Sequence, residues 1–172
     1  MPAHLAISNP KSPQNMGSIL RAAGCYQVAT IRYTGKRYAR ASAFSTDTKN
    51  AHLNIPVTQV AEIIQAEPDK DLVKVGIELV EGATPLPKFK HPDNALYIFG
   101  PEDGSLSQEV VNQCDHIVYI PTVGCMNLAA TVNVLLYDRL AKTAIMPTDD
   151  KVIKASRDTN NRTKLSSSKQ QP

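Results

Sequence analysis

Cysteine is scarce in this chain. Cys25, Cys114 and Cys125 are odd in number and lack the spacing of metal ligands. No disulfide framework and no metal site is expected from them, and reduced thiols fit a cytoplasmic location. Long hydrophobic runs are missing too: no stretch approaches the roughly 20 apolar residues that cross a bilayer. The N-terminus lacks a charged-then-apolar leader, so no membrane partner is expected. The glycine fingerprint G-x-G-x-x-G is absent, which leaves a nicotinamide or other Rossmann-type site unsupported. Gly35-Lys36 is not a phosphate-binding loop, because Arg37 stands where Ser or Thr is needed and Thr30 where the upstream glycine is needed.

What remains is an ordinary globular composition. The 172 residues are 42% hydrophobic and 20% charged, which suits one domain with a sizeable core. The net charge of +3 is unevenly placed: residues 148–172 carry six basic and three acidic side chains, residues 1–147 thirteen of each. A single neutral domain is therefore expected over 1–147, followed by a basic tail over 148–172. The tail is rich in Ser, Thr, Asn and Gln without periodicity, so it is expected to be disordered. It can hold a polyanion loosely or simply be solvated.

Within 1–147, apolar runs alternate with helical patterns. Residues 4–8, 28–33, 72–79, 95–99 and 116–120 read as strands. Ser12 caps a helix that begins at Pro13, and Met16, Ile19, Leu20 and Ala23 form its buried stripe as far as Gly24. Further helices are expected over 58–66 and 107–114. The last opens at Asn127 as its N-cap and buries Leu128, Val132, Leu135, Leu136 and Leu140. This alternation predicts an α/β fold, a mainly parallel sheet with helices on both faces. On the first helix Gln14, Gly17 and Arg21 share the face opposite the apolar stripe. Gly17 leaves room for a second backbone or a ligand. Arg21 is then either a site residue or a solvated one favoured by the helix dipole.

Residues 32–49 interleave Arg32, Lys36, Arg37, Arg40 and Lys49 with Tyr33, Tyr38 and Phe44, and Asp47 is the only acid among them. That pattern suits phosphate contact with base stacking on RNA. The competing reading is an exposed loop whose aromatics tuck under the body.

Three stretches rich in Gly, Pro and Asn stand at strand-to-helix junctions: 9–21, 100–106 and 120–128. Together they resemble the SPOUT-class RNA methyltransferases of the TrmH (SpoU) type. Asn9-Pro-Lys-Ser-Pro-Gln-Asn15-Met-Gly17-Ser-Ile19-Leu-Arg21 is similar to that family's first motif, and Phe99-Gly100-Pro101-Glu102-Asp-Gly104-Ser-Leu106 to its second. Ile120-Pro121…Cys125-Met126-Asn127-Leu128 is similar to the third. The continuation VNVLLYD (132–138) resembles the small single-domain members that methylate the tRNA wobble ribose.

The resemblance implies a 2′-O-ribose methyltransferase using S-adenosylmethionine, with a C-terminal trefoil knot and a homodimer that completes each site. Its substrate would be RNA, with tRNA preferred and rRNA possible. The cofactor would lie against Ile77, Glu78, Gly100, Ile120, Asn127 and Leu128. Cys125, where the family usually carries Ser, would line the same pocket. The catalytic set would be Arg21, Asn15 and Glu102. A guanidinium titrating above about 12 is a poor base. Arg21 is thus expected to hold the phosphate beside the target ribose, with Asn15 orienting it and Glu102 anchoring the loop or the RNA. Arg32, Lys36, Arg37 and Arg40 would supply RNA contacts, and Tyr137 would sit on the pairing helix or in the core. A non-catalytic RNA-binding protein on the same fold is the alternative.

Overall fold

A computed structural model describes residues 3–42, 55–67, 69–143, 150–157 and 159–165, with the side chains of 40–42 left aside. Its sheet has seven strands, all parallel: β1 (Ala3–Ile7), β2 (Thr30–Tyr33), β3 (Val57–Gln59), β4 (Val73–Ile77), β5 (Thr84–Pro85), β6 (Ala95–Phe99) and β7 (His116–Tyr119). They are ordered β3-β2-β1-β6-β4-β7-β5. Central β6 reads Ala-Leu-Tyr-Ile-Phe and is buried at all five positions, as a strand covered on both faces must be. The alternation of side chains sorts the two faces. Leu5, Ile7, Tyr97 and Phe99 join one core with helices α1 (Pro13–Cys25) and α4 (Leu128–Thr143). Ala6, Leu96 and Ile98 join a second core with Ile63 and Leu106, and Val110 and Val111 of helix α3 (Gln108–Gln113) pack against it. Helices therefore cover both faces, as the sequence predicts.

Both caps read from the sequence are present. Ser12 Oγ accepts from the Asn15 N–H at 3.3 Å, ahead of Pro13 at the first helical position. Asn127 Oδ1 accepts from the N–H of Ala129 at 2.9 Å and of Ala130 at 3.3 Å. Such caps satisfy donors that have no partner inside the helix.

Three segments depart from expectation. The helix expected over 58–66 is not there. Its first residues belong to β3, which pairs with β2 through Ile31 and Val57, and Val60 N–H continues the ladder to the Tyr33 carbonyl. The period of Val60, Ile63 and Ile64 fits a helix, but pairing with a neighbouring strand outweighs so short a helical signal. The tail, expected without structure, contains helix α5 (Asp150–Ser156), all of whose side chains are exposed. A further short helix, α2 (Arg37–Ser42), stands in the basic segment, for which the sequence suggests no helix.

Among the described residues no helix is long and apolar enough to cross a membrane.

Candidate functional site

The register of the central strands puts their C-terminal ends level: Ile7 pairs with Phe99, Phe99 with Ile77, and Ile77 with Val118. The loops that follow β1, β4, β6 and β7 therefore emerge side by side. This is the edge where open parallel sheets bind ligands. A cavity of about 490 Å³ lies there, within the range of about 300–1,000 Å³ usual for small-molecule sites. Ile77, Glu78, Gly100, Ile120, Cys125, Asn127 and Leu128 all line it, so the structure gathers every residue that the resemblance assigns to the cofactor. Leu79, Tyr119, Thr122, Met126 and Thr131 line it as well. Sequence reasoning assigned none of these five to the pocket, although Thr122 and Met126 stand within the third motif and Leu79 and Tyr119 directly beside assigned residues.

Two carboxylates fasten the loops around the cavity. Glu78 accepts from Leu106 N–H at 2.8 Å and from Leu79 N–H at 3.0 Å. Gly100 lies under this bond: a Cβ there would sit 3.2 Å from Leu106 N and 3.4 Å from Glu78 Oε2, tighter than ordinary packing. Glu102 accepts from the N–H of Lys11 at 2.8 Å, from that of Ser12 at 3.0 Å and from Asn15 Nδ2 at 3.1 Å. Burial opposes the charge on Glu102, but the hydrogen bonds from Ser12, Asn15 and Lys11 outweigh it and hold its carboxyl below the usual range. Asn15 Oδ1 in turn accepts from Asn127 Nδ2 at 2.9 Å. The three sequence motifs are thus joined by one chain of hydrogen bonds, Asn127 to Asn15 to Glu102.

The expected catalytic set is only partly brought together. Asn15 and Glu102 are in contact, but both are engaged with each other and with the first loop. Asn15 makes no bond to Arg21, and Glu102 acts as the anchor of the β1 loop. Arg21 lies on the exposed face of α1 with Gln14, Gly17 and Ser18, and makes no hydrogen bond or ion pair among the described residues. A Cβ on Gly17 would meet nothing within 4 Å, so the surface beside Arg21 is open.

One of the four expected RNA contacts is corrected, and a second is engaged within the protein. Arg32 faces the second core and forms a two-pronged ion pair with Asp69, one arm at 2.7 Å, with 11% and 1% of the two side chains exposed. It is a structural cation. Asp69 also accepts from Gln65 N–H at 2.7 Å, which holds the segment after β3. Arg37 pairs with Asp103 at 2.8 Å and donates to the Asn9 carbonyl, so it clamps the β1 and β6 loops from the start of α2. Clamping is easy to rationalise: Asn9 has φ 42° and its side chain fills the space over Gly35, where a Cβ would lie 2.1 Å from Asn9 Oδ1. Tyr33 and Tyr38 pack edge to face at 5.1 Å against the core and form no stacking platform. Lys36 is exposed. The side chain of Arg40, Phe44 and Lys49 lie outside the described residues.

The sequence of the chain matches the family described as the SpoU rRNA Methylase family over residues 2–137. The chain belongs to that family. Among relatives, an uncharacterized tRNA/rRNA methyltransferase of Mycobacterium leprae is 28% identical over 139 residues, covering 77% of this chain and 45% of that protein. The chain thus spans a little under half the length of the curated relatives it matches. Among solved structures, the SpoU methyltransferase AviRb of Streptomyces viridochromogenes in complex with the cofactor AdoMet superposes with a TM-score of 0.66. Identity is 21%, over 80% of this chain and 59% of that one. A structure described as giving insights into the 2-OH methylation of C/U34 on tRNA has a TM-score of 0.66 at 18% identity, covering 81% of this chain and 89% of that one. These likenesses show the SpoU/TrmH α/β fold. Strand order does not itself describe a knot; the trefoil knot goes with family membership.

Proposed function

We propose that the chain is an S-adenosylmethionine-dependent RNA 2′-O-ribose methyltransferase. The observation that carries this reading is the chain of bonds Asn127–Asn15–Glu102. It fixes the cavity rim to the helix that carries the exposed Arg21. The residues present fit the cofactor. The cavity has the right size, apolar walls from Ile77, Ile120 and Leu128, and a loop packed so closely over Gly100 that a Cβ there would be crowded. Bound there, S-adenosylmethionine would supply an electrophilic methyl group on a sulfonium.

The protein's own task is to position a ribose and manage one proton. With the cofactor bound, the ribose 2′-hydroxyl would be the methyl acceptor and would have to give up its proton. A guanidinium does not accept that proton. Arg21 instead holds the phosphate next to the target ribose through its planar fork and stabilises the developing negative oxygen. A phosphate oxygen or water takes the proton. Asn15 and Glu102 position the start of α1.

A tRNA is the preferred substrate, supported by the resemblance of residues 132–138 to the wobble-ribose enzymes and by the near full-length likeness to the structure concerned with C/U34 of tRNA. The M. leprae relative's description, tRNA/rRNA methyltransferase, keeps rRNA as the second reading. The chain is read as a domain over 1–147 acting as a cytoplasmic homodimer, with Val134 and Tyr137 exposed on α4 as candidate pairing residues.

The test is incubation with S-adenosylmethionine carrying a labelled methyl group and either bulk tRNA or rRNA, followed by ribose analysis. Label in alkali-resistant dinucleotides from tRNA is the expected result. Label on a base, or none with calorimetrically confirmed cofactor binding, would overturn the ribose assignment. Absence of cofactor binding would favour the non-catalytic RNA-binding alternative.

A further inference from the structure

Resting on the reading of RNA as substrate, we infer that the segment carrying α5 and the residues after it, 150–165, is the chain's main electrostatic grip on RNA. Two observations meet here. The first is the engagement of body cations: Arg32 is locked to buried Asp69, Arg37 pairs with Asp103 and the Asn9 carbonyl, and Lys11 lies 3.7 Å from the same Asp103, while Lys36 stays exposed. With thirteen basic and thirteen acidic residues in 1–147, the body offers a polyanion no net attraction.

The second is the state of the tail. Lys151, Lys154, Arg157, Arg162 and Lys164 all stand exposed, against Asp150 and Asp158 as the only acids in that stretch of sequence. Asp150 is in the first turn of α5, where it favours the helix, and Lys154 is in the last. Lys151 and Lys154, three residues apart, share a side of α5. Arg157 N–H bonds to the Ile153 carbonyl, so the chain is still coiled where Arg157 departs. Besides Asp158, the residues between the later cations are Thr159, Asn160, Asn161 and Thr163, polar groups able to bond to phosphate and sugar oxygens.

A charge-only grip carries no sequence information. It sets affinity and its dependence on salt, while Arg21 and the cavity set the reaction. Ile153 and Leu165 are also exposed, and cations beside apolar groups are equally compatible with an anionic membrane surface. The exposed Arg21 on α1, the helix tied to the cavity rim through Asn15 and Asn127, favours RNA.

The experiment replaces the five cations by glutamine in the full chain and measures bulk tRNA binding by fluorescence anisotropy from 50 to 300 mM salt. Cofactor affinity is followed by calorimetry. The expected result is a fall in tRNA affinity of tenfold or more at low salt, and a slope of log K against log salt shallower by about 2–4, since each neutralised phosphate contributes about 0.7–0.9. Cofactor affinity should not change. RNA affinity and slope within twofold of the parent would overturn the inference. So would retained RNA binding with lost co-sedimentation on phosphatidylserine vesicles, in favour of a membrane. If the parent binds tRNA through these residues but transfers no methyl group, the enzyme reading fails and the tail inference stands.

Discussion

Asn127 and Asn15, 112 positions apart, meet through their side-chain amides at 2.9 Å. Each serves two elements. Asn127 caps α4 with its oxygen and gives its amide hydrogen to Asn15; Asn15 takes it on Oδ1 and passes its own amide hydrogen to Glu102. The cavity rim, the start of α1 and the β6 loop are therefore one mechanical unit, and the two asparagines should couple energetically. Asn127→Ala should destabilise by about 1 kcal/mol through the lost cap alone. In a double-mutant cycle with Asn15→Ala the losses should fall short of additive by about 0.5–1 kcal/mol in stability, with a parallel shortfall for cofactor affinity. Additive losses in both would mean that the bond transmits nothing.

Arg21 offers the opposite profile. It is exposed and unpaired among the described residues, so Arg21→Ala should change stability by less than about 0.5 kcal/mol. Methyl transfer should fall by at least about 100-fold, because the group acts only on substrate and transition state. Arg21→Lys should recover little of it, since lysine keeps the charge and loses the fork. Thermal melts and single-turnover rates at saturating RNA separate the two effects. Near-normal turnover of the lysine variant would remove the phosphate-holding role.

Arg32 and Lys36 are four residues apart in one basic segment but belong to different physics. Arg32→Met leaves Asp69 buried without its partner, and breaking such a pair typically costs about 3–5 kcal/mol. Lys36→Gln should be neutral in stability. Urea unfolding of both variants checks this. A mild Arg32→Met variant with weakened RNA binding would restore the sequence-based role for that arginine.

That contrast shows what the sequence exposes and what it hides. Caps, stripes and loop motifs were legible because their logic is local: Ser12 and Asn127 announce helix starts, and the glycine-rich junctions fall at strand ends. The cofactor-pocket residues were legible only through the family resemblance, since nothing in the spacing of Ile77 and Leu128 says that they share a cavity. Long-range pairing was not legible at all. Arg32 looks like a nucleic-acid contact until Asp69, 37 positions later, is seen against it. The β3 residues look helical until β2 is beside them. The segment after β4 reads as a loop, yet Thr84-Pro85 pairs with β7 at the sheet edge.

The least legible feature is a buried polar cluster on α4, and it makes the chain acid-labile. His91 Nε2 faces Asp138 Oδ2 at 2.8 Å, and its Nδ1 faces Tyr97 Oη at 2.7 Å. Arg139 donates to Tyr97 Oη at 2.9 Å and Lys142 lies 2.7 Å from Asp138. One assignment satisfies every group: His91 neutral, Nε2–H donating to the carboxylate, Tyr97 O–H donating to Nδ1, and Arg139 donating to the phenol oxygen. Burial lowers the His91 value below the ordinary 6.5, against the opposing pull of Asp138, and burial likewise raises the Tyr97 phenol to about 12. His4, half-buried near Arg32, is shifted downward too. For both histidines the unfolded chain takes up the proton first. Stability is therefore complete above about 6.5 and declines as pH falls below it toward the folded-state values. Glu102, held below its ordinary 4.5, adds a second decline at lower pH. Melting temperatures should be level from pH 8 to 7 and fall from pH 6.5 to 5, and His91→Gln should flatten part of that fall while lowering stability at pH 8. Tyr97→Phe should leave Nδ1 without its donor, cost about 1–3 kcal/mol and keep the pH slope. A melting profile with no change between pH 7 and 5 would refute the neutral-histidine wiring.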